Sequence, residues 1–170
     1  QKQLEMLQTV ENSGDHLLSL INDVLDLSKI EAGEANVRIG EFKLEGLCDS
    51  ALQLIRQQIR NKGLELKFEN TSQHETLFVD GRRIRQVLLN LLSNAVKFTD
   101  EGHISLRVDD VPGEEMIRFR VEDSGIGISS EDQEKLFQPF FQVDHGLSRK
   151  YQGTGLGLAI TWRTVELHGG

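Results

Sequence analysis

Two short glycine-rich segments constrain this chain more than any other feature of its sequence. Residues 123–128 read Asp-Ser-Gly-Ile-Gly-Ile, and residues 153–158 read Gly-Thr-Gly-Leu-Gly-Leu. Because glycine has no Cβ, a backbone rich in glycine can closely approach a phosphate or a planar base. A carboxylate in such a turn can accept a hydrogen bond from an exocyclic amine. The two segments therefore indicate a nucleotide pocket, although their spacing fits neither a dinucleotide-binding G-x-G-x-x-G nor a P-loop.

A predicted helix over residues 81–98, capped by Asp80, supplies further groups that suit a nucleotide. Asn90, Asn94 and Lys97 lie at i, i+4 and i+7, so they share one face. Asparagine weakens a helix interior, yet amide oxygens suit a hard divalent cation. From this helix alone, a binding face and a solvated polar face are equal alternatives. Its apolar stripe is expected to be buried: Ile84, Val87, Leu88, Leu91, Leu92 and Ala95.

Hydrophobic periodicity predicts the other elements. Helices are expected over residues 1–31, 44–61, 130–137 and 154–168, and strands over 37–42, 64–68, 77–79, 103–109 and 116–123. The turn at Pro112-Gly113 predicts that the last two strands form a hairpin. The helix from residue 44 is expected to bury Leu47, Ala51, Leu54, Ile55 and Ile59. This mixture predicts an α+β sandwich with helices on one face of a sheet.

The first predicted helix carries a narrow apolar seam with alternating spacings of three and four residues. Its members are Leu7, Val10, Gly14, Leu17, Ile21 and Val24. Such a seam is typical of a coiled coil or bundle, and one helix cannot bury it alone. We therefore expect a partner for this seam: a second protomer, a missing preceding helix, or both. Ala32-Gly33 is expected to end the helix.

Composition argues against several classes of function. The chain has 19 Lys and Arg against 27 Asp and Glu, a net charge of −8, so it lacks the basic footprint of a general nucleic-acid binder. The local run at Arg82, Arg83 and Arg85 is more typical of a solvated helix face. Cys48 is the only cysteine, which fits a reducing compartment. With no signal peptide and no long apolar stretch, we expect a cytoplasmic segment without membrane contact, whose parent protein could be anchored elsewhere.

Four segments resemble the boxes of the catalytic, ATP-binding domain of sensor histidine kinases, within the GHKL ATPase superfamily. Residues 85–99 look like the N box, 123–128 the G1 box, 137–141 the F box and 153–160 the G2 box. Residues 27–33 are similar to the end of the second helix of the family's dimerisation and phosphoacceptor hairpin, and residues 148–151 look like the hybrid subclass. The resemblance implies a hairpin helix over 1–33 and a catalytic domain over 34–170. It also implies a Bergerat-type two-layer α/β sandwich, here without its final strands, so an uncovered sheet edge is expected.

The resemblance also implies roles for individual residues. Asn94 would bind Mg²⁺ with support from Asn90, and Lys97 would offset phosphate charge, which makes Lys97 and Asn90 the implied catalytic residues. Asp123 would accept from the adenine amino group. Residues 128–152 would form a mobile lid over the nucleotide. Phe137, Phe140 and Phe141 would anchor this lid or contact the hairpin when it docks, with plain core packing as the alternative. Arg149 or Lys150 would reach the γ-phosphate, with a solvated charge as the alternative. The implied ATP contacts are Asn90, Asn94, Lys97, Phe98, Asp123, Gly125, Gly127, Ile128, Phe137, Arg149, Gly153, Thr154, Gly155, Leu156 and Gly157.

By the same resemblance, the expected reaction is transfer of the ATP γ-phosphoryl group to a histidine. The family's phosphoacceptor box is absent and the context of His16 does not match it, so the acceptor is expected on a hairpin helix outside this chain. A response regulator receiver domain is the implied further partner. One alternative is a GHKL ATPase switch, which Asn90 disfavours because it stands where those relatives place an acidic general base. A non-catalytic dimer scaffold is the other alternative, and the intact boxes disfavour it.

Overall fold

Helices and strands are interspersed along the chain. The computed structural model describes residues 2–143 and 153–170. Within these residues the elements are α1 Lys2–Glu31, β1 Gly40–Lys43, α2 Leu44–Lys62, β2 Glu65–Asn70, β3 Thr76–Val79, α3 Gly81–Phe98, β4 His103–Asp110, β5 Ile117–Asp123, α4 Ser130–Gln133 and α5 Gly157–Leu167. No helix in this described part combines the length and apolarity needed to cross a bilayer.

The strands form two sheets. The larger one has the order β2-β4-β5, in which β2 and β4 are parallel and β4 and β5 are antiparallel. The predicted hairpin is confirmed, and its turn includes Gly113 at φ +83°. Strands β1 and β3 pair separately as an antiparallel ribbon. Strands β2 and β5 lie at the two edges of the described sheet.

The main core lies between the larger sheet and helices α2 and α3. Ile55 of α2, Leu88 and Leu92 of α3 and Leu106 of β4 are among its nearly inaccessible members. Helix α3 begins as predicted, because the Asp80 carboxylate accepts a hydrogen bond from Arg83 N. The predicted α+β sandwich, with helices packed on a sheet, is confirmed.

The prediction that Leu54 of α2 lies in the core is wrong. Leu54 is 59% exposed, whereas Cys48 and Leu52 are fully buried. At about 100° of rotation per residue, Leu54 lies roughly 100° from the centre of the apolar stripe. The buried stripe of this helix packs mainly against α3, and sequence spacing alone does not show which apolar position remains outside.

Helix α1 has two apolar faces with different surroundings. Leu27 is buried against Leu156 and Ile160 of the C-terminal region. The members of the predicted seam with large side chains are exposed, from 38% at Val24 to 70% at Val10. The intramolecular packing thus uses the other face and leaves the seam uncovered. The helix ends as predicted, with Gly33 in the left-handed conformation at φ +70°.

Two predicted helices are shorter than expected. Helix α4 covers only Ser130–Gln133, rather than residues 130–137. Helix α5 begins at Gly157 instead of Thr154. Gly155 has φ +71°, a value outside the right-handed helical region, so residues 153–156 form a loop before the helix.

Candidate nucleotide-binding site

One cavity of about 550 Å³ lies between α3, the turn that follows β5, and the segments before α5. Sites for small molecules in proteins typically have volumes of about 300–1,000 Å³. Most of the predicted contacts line this cavity: Asn90, Asn94, Lys97, Phe98, Asp123, Gly127, Ile128, Phe137, Gly153, Thr154, Gly155 and Gly157. Residues from both glycine-rich segments and from the asparagine face of α3 therefore meet around one space.

Helix α3 forms one wall of the cavity. Asn90, Asn94 and Lys97 project from the face predicted by their spacing. Leu91 also lines the cavity and is only partly buried, so its predicted place in the core stripe is wrong. Val96, which was not predicted, is buried in the core. The helix is thus amphipathic in an unusual way, with one apolar stripe in the core and a mixed polar and apolar face toward the cavity.

Asn90 joins α3 to the start of α5. Its amide nitrogen donates hydrogen bonds to Gly157 O at 3.1 Å and to Thr161 Oγ1 at 3.4 Å. A Cβ at Gly157 would lie 3.6 Å from this amide, so the two helices approach closely here. With the nitrogen directed at α5, the amide oxygen of Asn90 is the atom that suits a cation.

Lys97 brings a partly desolvated positive charge to the cavity. Burial lowers the pKa of this ammonium below the ordinary lysine value. Its Nζ lies 4.9 Å from the centroid of the Phe98 ring, and a Cβ at Gly153 would lie 3.0 Å from the same atom. A cation with reduced hydration gains more from a nearby anion than one in bulk water, because water screens the attraction less.

The turn after β5 is fixed against the end of α3. The Asp123 carboxylate accepts a hydrogen bond from Gly125 N at 2.9 Å, and Ile126 N donates to Phe98 O at 3.3 Å. Gly125 does not line the cavity. A Cβ there would lie only 2.3 Å from Phe98 O, so this glycine permits contact between the turn and α3 rather than contact with a ligand.

The remaining wall comes from the F-box segment and the second glycine segment. Phe137 lines the cavity and contacts Trp162 with ring centroids 4.8 Å apart. Phe141 also lines it, whereas Phe140 is 63% exposed and donates its backbone N–H to Gly155 O at 3.0 Å. The two segments are therefore joined by backbone contacts beside the cavity.

A further predicted contact, Leu156, does not line the cavity. Leu156 is fully buried and packs with Leu27 and Ile160, so it belongs to the apolar contact between α1 and α5 instead of the cavity wall. Arg149, the neighbouring Lys150 and residues 144–152 of the predicted lid lie outside the described residues.

Some lining residues were not predicted. They include Asp23, Ser93, Val121, Ile126, Leu136, Gln142, Val143 and Leu158. Most of them lie within or next to the predicted segments, so the positions of those segments in the sequence already indicate them. Asp23 is different because it belongs to α1, and burial together with the nearby Asp26 carboxylate raises its pKa. Only the packing of α1 on α5 brings this residue to the cavity, and no local pattern indicates it.

Comparisons with known proteins agree with this geometry. Residues 79–170 match the family described as histidine kinase-, DNA gyrase B- and HSP90-like ATPase, and residues 1–33 match the His Kinase A (phospho-acceptor) domain. Hybrid signal transduction histidine kinase B of Dictyostelium discoideum is 45% identical over 172 residues, which cover 99% of this chain. The chain spans only 9% of the length of that relative.

Solved structures show the same likeness. Full-length ShkA in complex with AMPPNP superimposes with a TM-score of 0.86 and 34% identity, over 99% of this chain and 35% of ShkA. Histidine kinase ThkA in complex with response regulator protein TrrA gives a TM-score of 0.64 and 28% identity, over 81% of this chain and 40% of that one. The chain therefore belongs to the histidine kinase-, DNA gyrase B- and HSP90-like ATPase family, as a catalytic, ATP-binding domain of the histidine kinase type.

Proposed function

We propose that the cavity binds ATP with Mg²⁺ and presents the γ-phosphoryl group to a histidine on another helix. The observation that carries this proposal is the meeting of the Asp123 carboxylate, the Asn94 amide and the Lys97 ammonium around one cavity. The carboxylate suits the amino group of adenine, and the ammonium suits phosphate oxygens. The likeness to a kinase bound to AMPPNP, an analogue of ATP, supports the same assignment.

The side chains on α3 fit a metal ion that is shared with the nucleotide. No group of three or more His, Cys, Asp or Glu side chains that could hold a metal occurs among residues 2–143 and 153–170. Asn94, with Asn90 one turn earlier, offers neutral oxygen ligands, and Mg²⁺ usually combines few protein ligands with phosphate oxygens and water. The ion would neutralise charge on the transferred phosphoryl group.

The protein's own contribution is binding and orientation. Asp123 would select adenine and set the direction of the nucleotide, while Lys97 and Asn94 would hold the phosphates. Holding both reactants in line lowers the entropic part of the barrier. We assign no general base to the described residues, because the acceptor histidine lies on another helix.

The exposed seam of α1 is a suitable contact surface for the helix that would carry the acceptor histidine. Its apolar side chains, from Leu7 to Val24, are uncovered in the single chain. We propose that the preceding helix of the hairpin, a second protomer, or both cover this seam and bring the acceptor histidine near the cavity. A response regulator receiver domain would then receive the phosphoryl group, by analogy with the ThkA complex.

Binding is tested first, by calorimetric titration of the chain with Mg-ATP. We expect saturable binding by the wild type and a loss of about tenfold or more in Asn94→Ala, since a removed charge-assisted ligand costs roughly 1.5–3 kcal/mol. Gln86→Ala, which changes an exposed residue of the same helix, is the control and should bind as the wild type does. No heat of binding in the wild type would refute the nucleotide site.

Transfer is tested second. The chain is mixed with Mg-ATP and a separately produced helical hairpin that carries the acceptor histidine. We expect acid-labile phosphate on the hairpin with the wild type and none with Asn94→Ala. ATP hydrolysis without labelling of the hairpin would instead favour an ATPase switch, and binding without either reaction would favour a scaffold.

A further inference from the structure

The C-terminal end of α3 is held by a residue from outside the predicted boxes. A helix leaves its last four carbonyls without partners inside the helix. Lys62, the last residue of α2, directs its ammonium at this end of α3. Its Nζ donates to Val96 O at 2.8 Å, to Thr99 O at 3.0 Å and to Lys97 O at 3.2 Å.

These contacts differ from those of an ordinary surface lysine. An ammonium has three N–H donors, and three backbone carbonyls lie within hydrogen-bond distance of this one. The carboxylate of Asp100 lies 3.6 Å away, and the Lys62 side chain is 31% exposed. Thr99 is fully buried. Its carbonyl therefore depends on a protein donor, because water has little access to it.

The same helix end forms part of the candidate site. Lys97 and Phe98 line the cavity, and Phe98 O accepts from Ile126 N of the turn that begins at Asp123. Any shift of the last turn of α3 would therefore move two parts of the proposed site together. One is the Lys97 ammonium, proposed to face the phosphates, and the other is the turn that carries the Asp123 carboxylate, proposed to face adenine. The carbonyl end of a helix is also the negative end of its dipole, which is unfavourable beside a triphosphate unless a cation offsets it.

We propose that Lys62 is a positioning residue for the nucleotide. It fixes the end of α3 through three backbone carbonyls, and its charge compensates the negative end of the helix next to the phosphates. Lys62 touches no ligand itself and acts through Lys97, Phe98 and the turn after Asp123. The proposal rests on the nucleotide site proposed above and adds to it a residue from α2.

The test is the affinity for Mg-ATP and for adenosine in three variants of the chain. Lys62→Met removes the charge and the donors at similar length, whereas Lys62→Arg keeps both. Ile55→Val is the control, because it removes one buried methyl group from α2 about two helical turns before Lys62. Each titration is run well below the melting temperature of every variant, so that all are folded.

We expect Lys62→Met to weaken ATP binding about tenfold, the order typical of a lost charge-assisted contact. Adenosine, which lacks phosphates, should lose no more than about threefold: it loses only the positioning of the turn after Asp123, whereas ATP also loses the charge compensation at the helix end. Lys62→Arg should recover most of the ATP affinity. Ile55→Val should lower the melting temperature and leave both affinities unchanged.

The proposal would be overturned if Lys62→Met bound ATP as tightly as the wild type does. It would also be overturned if Lys62→Met lost affinity for ATP and for adenosine by the same factor. If Lys62→Met does not fold, Lys62→Gln, which keeps two N–H donors without charge, tests the same difference between ATP and adenosine. Failure of the wild type to bind ATP would refute the nucleotide site itself, so the two failures are distinguishable.

Discussion

Gly155 allows the two segments beside the cavity to touch, and replacing it with alanine tests that contact. Its φ of +71° is a left-handed value that residues with a Cβ rarely adopt. A Cβ there would lie 2.7 Å from the Phe140 carbonyl carbon and 2.9 Å from Phe141 O. Both are backbone atoms, so no flexible side chain can yield, and the F-box segment or the glycine segment has to move.

The cost has two separable parts. The left-handed conformation costs a residue with a Cβ roughly 1–2 kcal/mol, and overpacking adds about 1–3 kcal/mol. Gly113→Ala is a matched control, because Gly113 also has positive φ, +83°, but no atom within 4 Å of the added Cβ. We therefore expect Gly155→Ala to lose about 2–5 kcal/mol of unfolding free energy and Gly113→Ala only about 1–2 kcal/mol.

Urea denaturation measures this difference through the midpoint, provided that the slope m is unchanged. Trp162 is the only tryptophan and contacts Phe137, so its fluorescence reports on the same wall of the cavity. Gly155→Ala should also weaken ATP binding, whereas Gly113→Ala should not. Equal losses of stability in the two variants would show that the close approach of residues 140 and 155 does not exist in solution.

Three further perturbations test other parts of the account. Asp123→Asn should weaken ATP binding by about tenfold or more and reduce the preference for ATP over GTP in competition titrations. Glu122→Gln, at the exposed neighbouring position, should change neither the affinity nor the preference. Lys97→Met should abolish tight ATP binding yet stabilise the free protein. The pKa of Lys97 is lowered, so burial of its charge costs stability at neutral pH, and that cost disappears only as pH rises through the range between the lowered and the ordinary pKa. Denaturation curves at pH 7 that show Lys97→Met to be less stable than the wild type would contradict this sign. Ile21→Lys should reduce association of the chain with itself or with the hairpin helix in sedimentation experiments. Ser19→Lys, on the opposite face of α1, should leave association unchanged. Equal effects of the two substitutions would show that the seam is not the contact surface.

Local signals in the sequence predicted much of the fold. Asp80 begins α3 as a side-chain cap, Gly33 ends α1 in the left-handed conformation, and Pro112-Gly113 turns the hairpin. Each of these features depends on residues within a few positions, and their physical cause is visible in the sequence. The spacing of Asn90, Asn94 and Lys97 likewise places them on one face of a helix without any tertiary information.

The errors depend on contacts between distant segments. Leu54 is exposed because the face of α2 that packs mainly against α3 does not include it. Leu156 occurs in a glycine-rich run that resembles a nucleotide contact, but α1 packs against this leucine and makes it a core residue. Asp23 lines the cavity from α1 and Lys62 contacts the end of α3 from α2, and their positions follow only from the way the helices pack.

The central claim is that α3, the turn at Asp123 and the second glycine segment surround one purine nucleotide. Amide NMR spectra of the chain, recorded during titration with Mg-AMPPNP, test it most directly because each segment reports separately. We expect saturable shifts with one common affinity at residues 90–98, 123–128 and 153–157, and little change at the exposed seam of α1. Shifts confined to one segment, or a different affinity for each, would show that no single nucleotide lies between them.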